Sequence, residues 1–267
     1  MKNIIDIAKE SHSFATQPIV KLSNDEVIGH EVLLREFKNK TIFDFKNKPS
    51  LFVEHNVSLA QCIAEMQRNL THKGILKTVF VNFSPEQISD NNFRKCLDMF
   101  YYNGIVPSSL AIEITENLLP QKTSAFYANL ELARGHGHPL IVDDFGAGIS
   151  NFNHVSKIRP AIIKTDMMLI KQAAKCKHSK RCFRALINYL KEIGAKSVVE
   201  GIETEEEKNI AEEVGANFGQ GFYFEKPTTH TFQLEDAECV PKHHQGINFQ
   251  LSSALKSIND DTRLLAT

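Results

Sequence analysis

An alternation of strand and helix that counts out to eight strands marks this chain as an α/β protein of the (β/α)8, TIM-barrel type. Short apolar, β-branched runs alternate with amphipathic segments of helix length through most of the 267 residues, the pattern of parallel strands joined by helical crossovers. Eight runs read as strands, the number that closes such a barrel. Polar residues recur near the carboxyl ends of successive runs, where barrels of this kind collect their functional groups.

Residues 1–13 are expected to be an N-terminal segment; they carry Asp6, Lys9 and Glu10 and lack the apolar centre of a secretory signal. Phe14 to Leu22 and Val27 to Arg35 read as two strands joined by the polar turn Ser23-Asn24-Asp25-Glu26, a hairpin. Phe45 to Leu51, with Pro49, reads as a loop. Phe52, Leu59, Ile63, Met66 and Leu70 fall at helical spacing, with Gly74 as the stop. Thr78 to Phe83 is the next strand, and Pro85-Glu86 opens a helix carrying Ile88, Phe93, Leu97 and Phe100 on one side. Leu110 to Thr115 is a strand, about Lys122 to His136 a helix, and Pro139 leads into the apolar run Leu140-Ile141-Val142, which ends in Asp143, Asp144 and a glycine loop.

A short helix is expected after Ser150, a strand at Ala161 to Thr165, and a helical region from about Met168 that resumes at Arg181 to Ile193. The strand Lys196 to Glu200, the helix Glu205 to Val214 and the strand Asn217 to Phe224 complete the set. Past Pro227 the alternation stops, and Ile247, Leu251, Leu255 and Ile258 fall at helical spacing. The expected division is therefore an N-terminal segment 1–13, a barrel 14–235 and a partly helical extension 236–267.

A net charge of −1 rules out the broad basic field that duplex nucleic acid or an anionic membrane surface would require. No apolar run approaches the length of a membrane span. Five cysteines, odd in number and without a CxxC pair, suit the reduced thiols of a cytoplasmic protein. Cys176, His178 and Cys182 lie close in sequence, but their spacing matches no zinc pattern, so a surface connection is expected there.

The chemistry concentrates where strands stop. Glu31 lies within the second strand; Asn82, Glu113, Asp143, Asp144, Lys164, Asp166, Glu200, Glu203 and Gln220 stand near the ends of the later ones. Adjacent buried carboxylates repel, and burial is costly unless a cation or a proton compensates. Carboxylates with one amide oxygen form a hard donor set that selects Mg²⁺ or Mn²⁺ and admits Ca²⁺, while the lack of a strand-end histidine disfavours zinc. The acids outnumber what one Mg²⁺ takes from protein, so two ions bridged by a carboxylate fit better, an arrangement suited to in-line displacement at phosphorus. Lys164 adds a cation that either meets a phosphoryl oxygen, orients a water or pairs with a neighbouring acid. Arg35 shares a strand face with Glu31 by the period of two. Together these residues describe a metal-dependent phosphodiester hydrolase. Two other classes compete: a binding module without turnover, and an enolase-type barrel in which Lys164-Thr165-Asp166 abstracts a proton.

At these positions the chain resembles the EAL-domain family. The resemblance rests on Glu31-Val32-Leu33-Leu34-Arg35, Val81-Asn82-Phe83-Ser84, Glu113-Ile114-Thr115-Glu116, Asp143-Asp144-Phe145-Gly146, Lys164-Thr165-Asp166, Glu200-Gly201-Ile202-Glu203-Thr204 and Gln220-Gly221-Phe222, and runs from about Gln17 to Pro227. It implies a cyclic di-GMP phosphodiesterase that forms linear pGpG, built on a modified (β/α)8 TIM-type barrel with an antiparallel first strand. By the resemblance, Glu31, Asn82, Glu113 and Asp143 hold one Mg²⁺ or Mn²⁺, and Asp143, Asp144 and Glu200 the second. Glu200 or Lys164 activates the water, supported by Asp166 and Glu203. Gln17, Leu33, Arg35, Gln220 and Pro227 line the dinucleotide pocket, and Glu116 anchors the loop after the Asp pair. Inhibition by Ca²⁺ and room for a homodimer through the barrel are also implied, as is the alternative of a receptor that binds cyclic di-GMP without turnover. The chain departs from the family pattern at Val32, Glu36, Ala147, Ile149 and Asn151-Phe152, positions that bear on loop ordering, dimer coupling and rate rather than on the ligand set.

Overall fold

The structure, a computed structural model, describes residues 11–74, 78–115, 124–147 and 152–233. It begins with the expected hairpin: β1 (Ser11–Lys21) and β2 (Val27–Phe37) pair antiparallel across the polar turn. The short β3 (Lys40–Thr41) follows. The segment expected as a loop at 45–51 is instead largely helical, in α1 (Ile42–Asn47) and α2 (Ser50–Glu54). Asp44 Oδ2 accepts from the Thr41 N–H at 2.7 Å and ties the first turn of α1 to its cap. Pro49 sits at the N-cap of α2, where its missing N–H costs nothing. The next helix, α3 (Asn56–His72), buries Leu59, Ile63, Met66 and Leu70, four of the five residues placed on one face by their spacing; the fifth, Phe52, lies in α2.

Strand and helix then alternate: β4 (Val79–Phe83), α4 (Pro85–Ser89), α5 (Phe93–Tyr102), β5 (Leu110–Thr115), α6 (Ser124–His136), β6 (Leu140–Phe145), α7 (Phe152–Ile158) and β7 (Ile162–Thr165). After β7 come α8 (Met167–Lys175), α9 (Lys177–Glu192), β8 (Lys196–Val199), α10 (Glu205–Glu213), β9 (Phe218–Gly219) and β10 (Thr228–Gln233). The single helix expected after Pro85 is two, because Asp90 leaves the helix in an extended conformation and its Oδ1 accepts from the Asn92 N–H at 2.8 Å. The last barrel strand is shorter than expected: beyond Gly219 the chain turns, with Tyr223 N–H donating to Ile202 O.

β2 and β4 to β9 run parallel, each paired with the next, and β1 lies antiparallel to both β2 and β9, so the eight strands close. The antiparallel first strand agrees with the family-based expectation. β10 was not foreseen; it extends β1 in antiparallel register from Thr16↔Thr228 to Ser11↔Gln233, and its β-branched Thr228, Thr229 and Thr231 are the signal for it. Residues 234–267 lie outside the described part, as do residues 1–10, so the expected helical extension has no structural account. Among the described residues, no helix is long and apolar enough to cross a membrane.

Period-two alternation sets the interior in layers. Ile19, Phe80, Ala111, Ile141, Val198 and Phe218, with Ile162 packed against them, form an apolar plug. Gly29 belongs to this level, and the Phe80 ring occupies the space a side chain would need: a Cβ on Gly29 would lie 2.7 Å from Phe80 Cε2. Two residues along each strand from the plug stand Gln17, Glu31, Asn82, Glu113, Asp143, Lys164, Glu200 and Gln220. The polar layer therefore rests on a dry floor.

Candidate metal centre

Lys164 is fully buried at the centre of that polar layer. Its Nζ lies 2.7 Å from Glu200 Oε1, 3.1 Å from Glu31 Oε2, 3.1 Å from Glu113 Oε1 and 3.4 Å from Asp143 Oδ1. Of the roles open to Lys164 in the sequence, pairing with neighbouring acids is the one its surroundings display. Glu31 is held further by Asn82 Nδ2, donating at 2.9 Å, and by Gln220 Nε2, donating at 2.7 Å.

One ammonium does not balance this set. Glu31, Glu113, Asp143, Asp144 and Glu200 are five acids around a single lysine. Burial pushes Glu113 well above the usual carboxylate range, and the like charges of Glu31, Asp143 and Glu200 add to it against the pull of Lys164. Glu200 is pushed up to about 8 by burial, with Asp143 and Glu31 adding and Lys164 opposing. Asp144 is pushed up to about 6 by burial and by Asp143 beside it. Glu31 goes the other way: burial alone would raise it, but Lys164 and the Gln220 and Asn82 hydrogen bonds hold it below the ordinary value. Lys164 itself, although burial opposes its charge, is held well above the ordinary lysine value by Asp143, Glu113, Glu200 and Glu31.

Adjacent residues of a strand point to opposite faces, so Asp143 and Asp144 converge only because the strand ends irregularly. The β6 to β7 register breaks between Val142 and Phe145, and Asp144 adopts φ +54°, a left-handed conformation that a non-glycine residue seldom takes. Carboxylate oxygens of Asp143, Asp144 and Glu200 come within 4.8 Å of one another. Glu113 Oε2 is buried with no hydrogen-bond partner among the described residues, and Glu113 Oε1 and Asp143 Oδ1 face only the shared Lys164 ammonium. Under-compensated carboxylate oxygens converging on one point fit a divalent, oxygen-preferring cation.

Other residues singled out in the sequence fall into distinct places. Gln17 Oε1 accepts from Gln220 Nε2 at 3.3 Å, and its Nε2 donates to Glu225 O at 3.1 Å, so the two glutamines form a chain ending on Glu31. Leu33 and Arg35 are half-buried and line a cavity shared with Asn82. Pro227 is half-buried just before β10. Asp166 accepts from the Met168 N–H at 2.8 Å as the N-cap of α8 and makes no ion pair with Lys164. Glu203 is exposed and paired with Lys171 at 3.1 Å. Glu116, with Ile149 and Asn151, lies outside the described residues.

Sequence reasoning overlooked Lys171 and Glu207. Lys171 joins Glu203 to Glu207, which stands 2.9 Å away, and Glu207 Oε2 accepts from the backbone N–H groups of Glu203 and Thr204 at 2.7 and 3.2 Å. The brace fixes the loop that follows Glu200. Its signal was present as Thr204-x-x-Glu207, the spacing of a capping box.

The arrangement is thus an acid-rich mouth on a closed, modified (β/α)8 barrel. The family model described as EAL domain matches residues 5–227, and the chain belongs to that family. It is 24% identical over 222 residues, 79% of its length, to the probable cyclic di-GMP phosphodiesterase PdeI of Escherichia coli (strain K12). It is 26% identical over 223 residues, again 79% of its length, to the cyclic di-GMP phosphodiesterase RocR of Pseudomonas aeruginosa. The chain covers 28% of the former protein's length and 56% of the latter's. A solved calcium/cy-diGMP complex of BlrP1 from Klebsiella pneumoniae superposes with a TM-score of 0.73 at 23% identity, covering 86% of this chain and 58% of that one, a likeness of fold.

Proposed function

We propose that this chain hydrolyses one phosphodiester bond of cyclic di-GMP, giving linear pGpG, with Mg²⁺ or Mn²⁺ at the barrel mouth. The observation that carries the reading is the convergence of Asp143, Asp144 and Glu200 within 4.8 Å, in a layer where buried Glu113 has one oxygen on Lys164 and the other without a partner among the described residues. Asp143, Asp144 and Glu200 would hold one ion, and Glu31, Asn82, Glu113 and Asp143 the other. Divalent ions supply an activated water and stabilise charge developing on phosphorus oxygens. The relatives named as phosphodiesterases support the substrate class.

The side chains have separable tasks. Lys164, held charged by four acids, is a poor proton acceptor, so Glu200 is the better candidate to accept the proton of the attacking water. Gln220 and Asn82 hold Glu31 in one orientation from both sides. Arg35, near the end of β2, grips a phosphate. Asp166 and Glu203 act on the surrounding loops, as the α8 cap and through Lys171, rather than on the reacting atoms.

The test is incubation of the purified chain with cyclic di-GMP and Mg²⁺ or Mn²⁺, followed by chromatography. The expected result is accumulation of pGpG, with GMP much later, because the flexible linear product orients its remaining bond poorly. Activity should vanish in excess EDTA and fall when Ca²⁺, with its looser coordination, replaces Mg²⁺. Undiminished activity after chelation would refute metal dependence, and binding without turnover would establish the receptor alternative.

A further inference from the structure

Beyond the polar layer, on the side away from the apolar plug, β1 and β2 continue and β10 joins them in a three-stranded sheet ordered β10, β1, β2. The side chains on its far face fix which residues meet the mouth. His12 and Phe37 stack there with ring centroids 4.8 Å apart, both buried, and Thr16 Oγ1 lies 2.9 Å from His230 Nε2. Alternation therefore turns Ser13, Ala15 and Gln17 of β1, and Thr229 and Thr231 of β10, to the opposite face, where Gln17 meets Gln220.

β2 breaks its register at this level. Phe14 pairs with Leu34 but Ser13 pairs with Glu36, so Arg35 is an extra residue, and Arg35 and Glu36 both stand opposite Ser13. A bulge of this kind re-aims the strand and leaves its two residues on the side of the one they face. Without it, Glu36 would share the far face with Phe14. Ser13 pairs on its other side with Thr231, so Glu36, Ser13 and Thr231 make one polar row across three strands. Glu36 and Ser13 are half-buried and Thr231 is exposed. The row stands four residues of strand beyond Gln17, about 13 Å from the polar layer. That is about the reach of one nucleotide whose phosphate is held at the acids.

The inference rests on the hydrolase reading, in which the ligand carries two phosphodiester charges. A carboxylate facing such a ligand repels its phosphates and has to meet donors instead. The Watson–Crick edge of guanine presents two adjacent ones, N1–H and N2–H₂, to match the two oxygens of a carboxylate, whereas adenine sets a lone pair at N1 beside its N6–H₂. We infer that Glu36 is the residue of this chain that selects guanine, accepting from N1–H and N2–H₂, with the hydroxyl of Ser13 or Thr231 donating to O6. Arg35 and Glu36 then divide one nucleotide between them, the first taking phosphate and the second the base.

Glu36→Gln tests this, because a glutamine amide offers one acceptor and one donor, the complement of adenine rather than of guanine. The ratio of affinities for cyclic di-GMP and cyclic di-AMP is read as KM in initial-rate assays of the full chain with Mn²⁺, or as Kd by calorimetry where there is no turnover. Glu36→Gln should weaken cyclic di-GMP about tenfold or more and tighten cyclic di-AMP relative to the wild type. A merely structural role would weaken both ligands together and leave the ratio alone. If Glu36→Gln does not fold, Glu36→Ala decides on the same ratio, which should fall about tenfold. A wild-type ratio in the folded variant overturns the inference and leaves the hydrolase reading standing. A wild type that neither binds nor cleaves cyclic di-GMP removes that reading, and the inference with it.

Discussion

Lys164 Nζ stands 2.7 Å from Glu200 Oε1 with no solvent exposure of its own, and three further carboxylates lie within 3.4 Å of the same nitrogen. Removing one partner from a buried charge network leaves the others uncompensated, at a cost of about 3–5 kcal/mol. Lys164→Met should therefore unfold at much lower urea in the presence of chelator, and saturating Mn²⁺ should restore part of the loss by replacing the missing positive charge. Urea titrations with and without metal check this. Stability equal to wild type in chelator would mean that the acids around Lys164 are already neutral.

Metal binding should also be visible without substrate. An ion that binds only the folded chain adds about 2.7 kcal/mol at a hundredfold excess over its Kd, which for a domain of this size raises Tm by about 5–10 °C. Differential scanning fluorimetry of the wild type and Asp143→Asn with Mn²⁺ is the measurement. Asp143 is proposed to serve both ions, so its variant should lose most of the shift; equal shifts in the two proteins would remove Asp143 from the site.

Gly221 marks where the loops after β8 and β9 press together. A Cβ there would lie 2.0 Å from Ile202 O, and backbone cannot yield as a flexible side chain does. Ile202 N–H donates to Gln220 O, so displacement of this contact also shifts the glutamine that orients Glu31. Gly221→Ala should cost about 3 kcal/mol and lower turnover as well. A variant that keeps wild-type Tm and rate would show that the loops relax independently of the mouth.

Much of this site was legible because period-two alternation is strict in a barrel. Phe80 and Asn82, Ala111 and Glu113, and Ile141 and Asp143 each repeat the step from apolar plug to polar mouth, so the acids could be placed on one face from sequence alone. What alternation could not place was the carboxylate of Asp144, which reaches its neighbours through a positive φ and a register break that no single residue announces. The division of labour among the acids was hidden for another reason. Asp166 and Glu203 read as site residues by position, yet the first is taken up by a helix cap and the second by Lys171, a partner from a different element. The helices at 42–54 were obscured by Pro49, which at an N-cap starts a helix rather than preventing one.

Far from the mouth, His138 gives a pH dependence of stability. It is buried, its Nδ1–H donates to Leu110 O at 3.0 Å, and burial, with His136 adding to it and the Leu110 contact opposing, holds its pKa below the ordinary 6.5. The unfolded chain thus binds a proton more readily than the folded one. Stability from this residue is complete above the unfolded pKa and is lost as pH falls through about 6.5 toward the folded value. Urea-derived stabilities at about pH 7.5 and about pH 5.5 should differ less in His138→Gln than in the wild type. Asp144 and Glu200 titrate in both proteins, so the difference between the two slopes is the informative quantity. Identical slopes would mean that His138 takes up its proton without penalty.

The last prediction separates binding from chemistry. Arg35 is proposed to hold phosphate in the ground state, whereas Glu200 is proposed to accept a proton in the transition state. Arg35→Ala should raise KM about tenfold or more and change kcat little, while Glu200→Gln should lower kcat by about a hundredfold or more with binding of cyclic di-GMP preserved. Glu200→Gln keeps shape and a hydrogen-bonding group at the position 2.7 Å from Lys164, but removes one of the charges that offset the buried ammonium. Its Tm must therefore be measured beside its rate. A lowered rate with normal folding and normal ligand binding assigns Glu200 to the chemistry. If Glu200→Gln folds, binds and turns over near the wild-type rate, Glu200 drops out of the mechanism, and another carboxylate of the mouth must accept the proton, because Lys164 remains charged among the remaining acids.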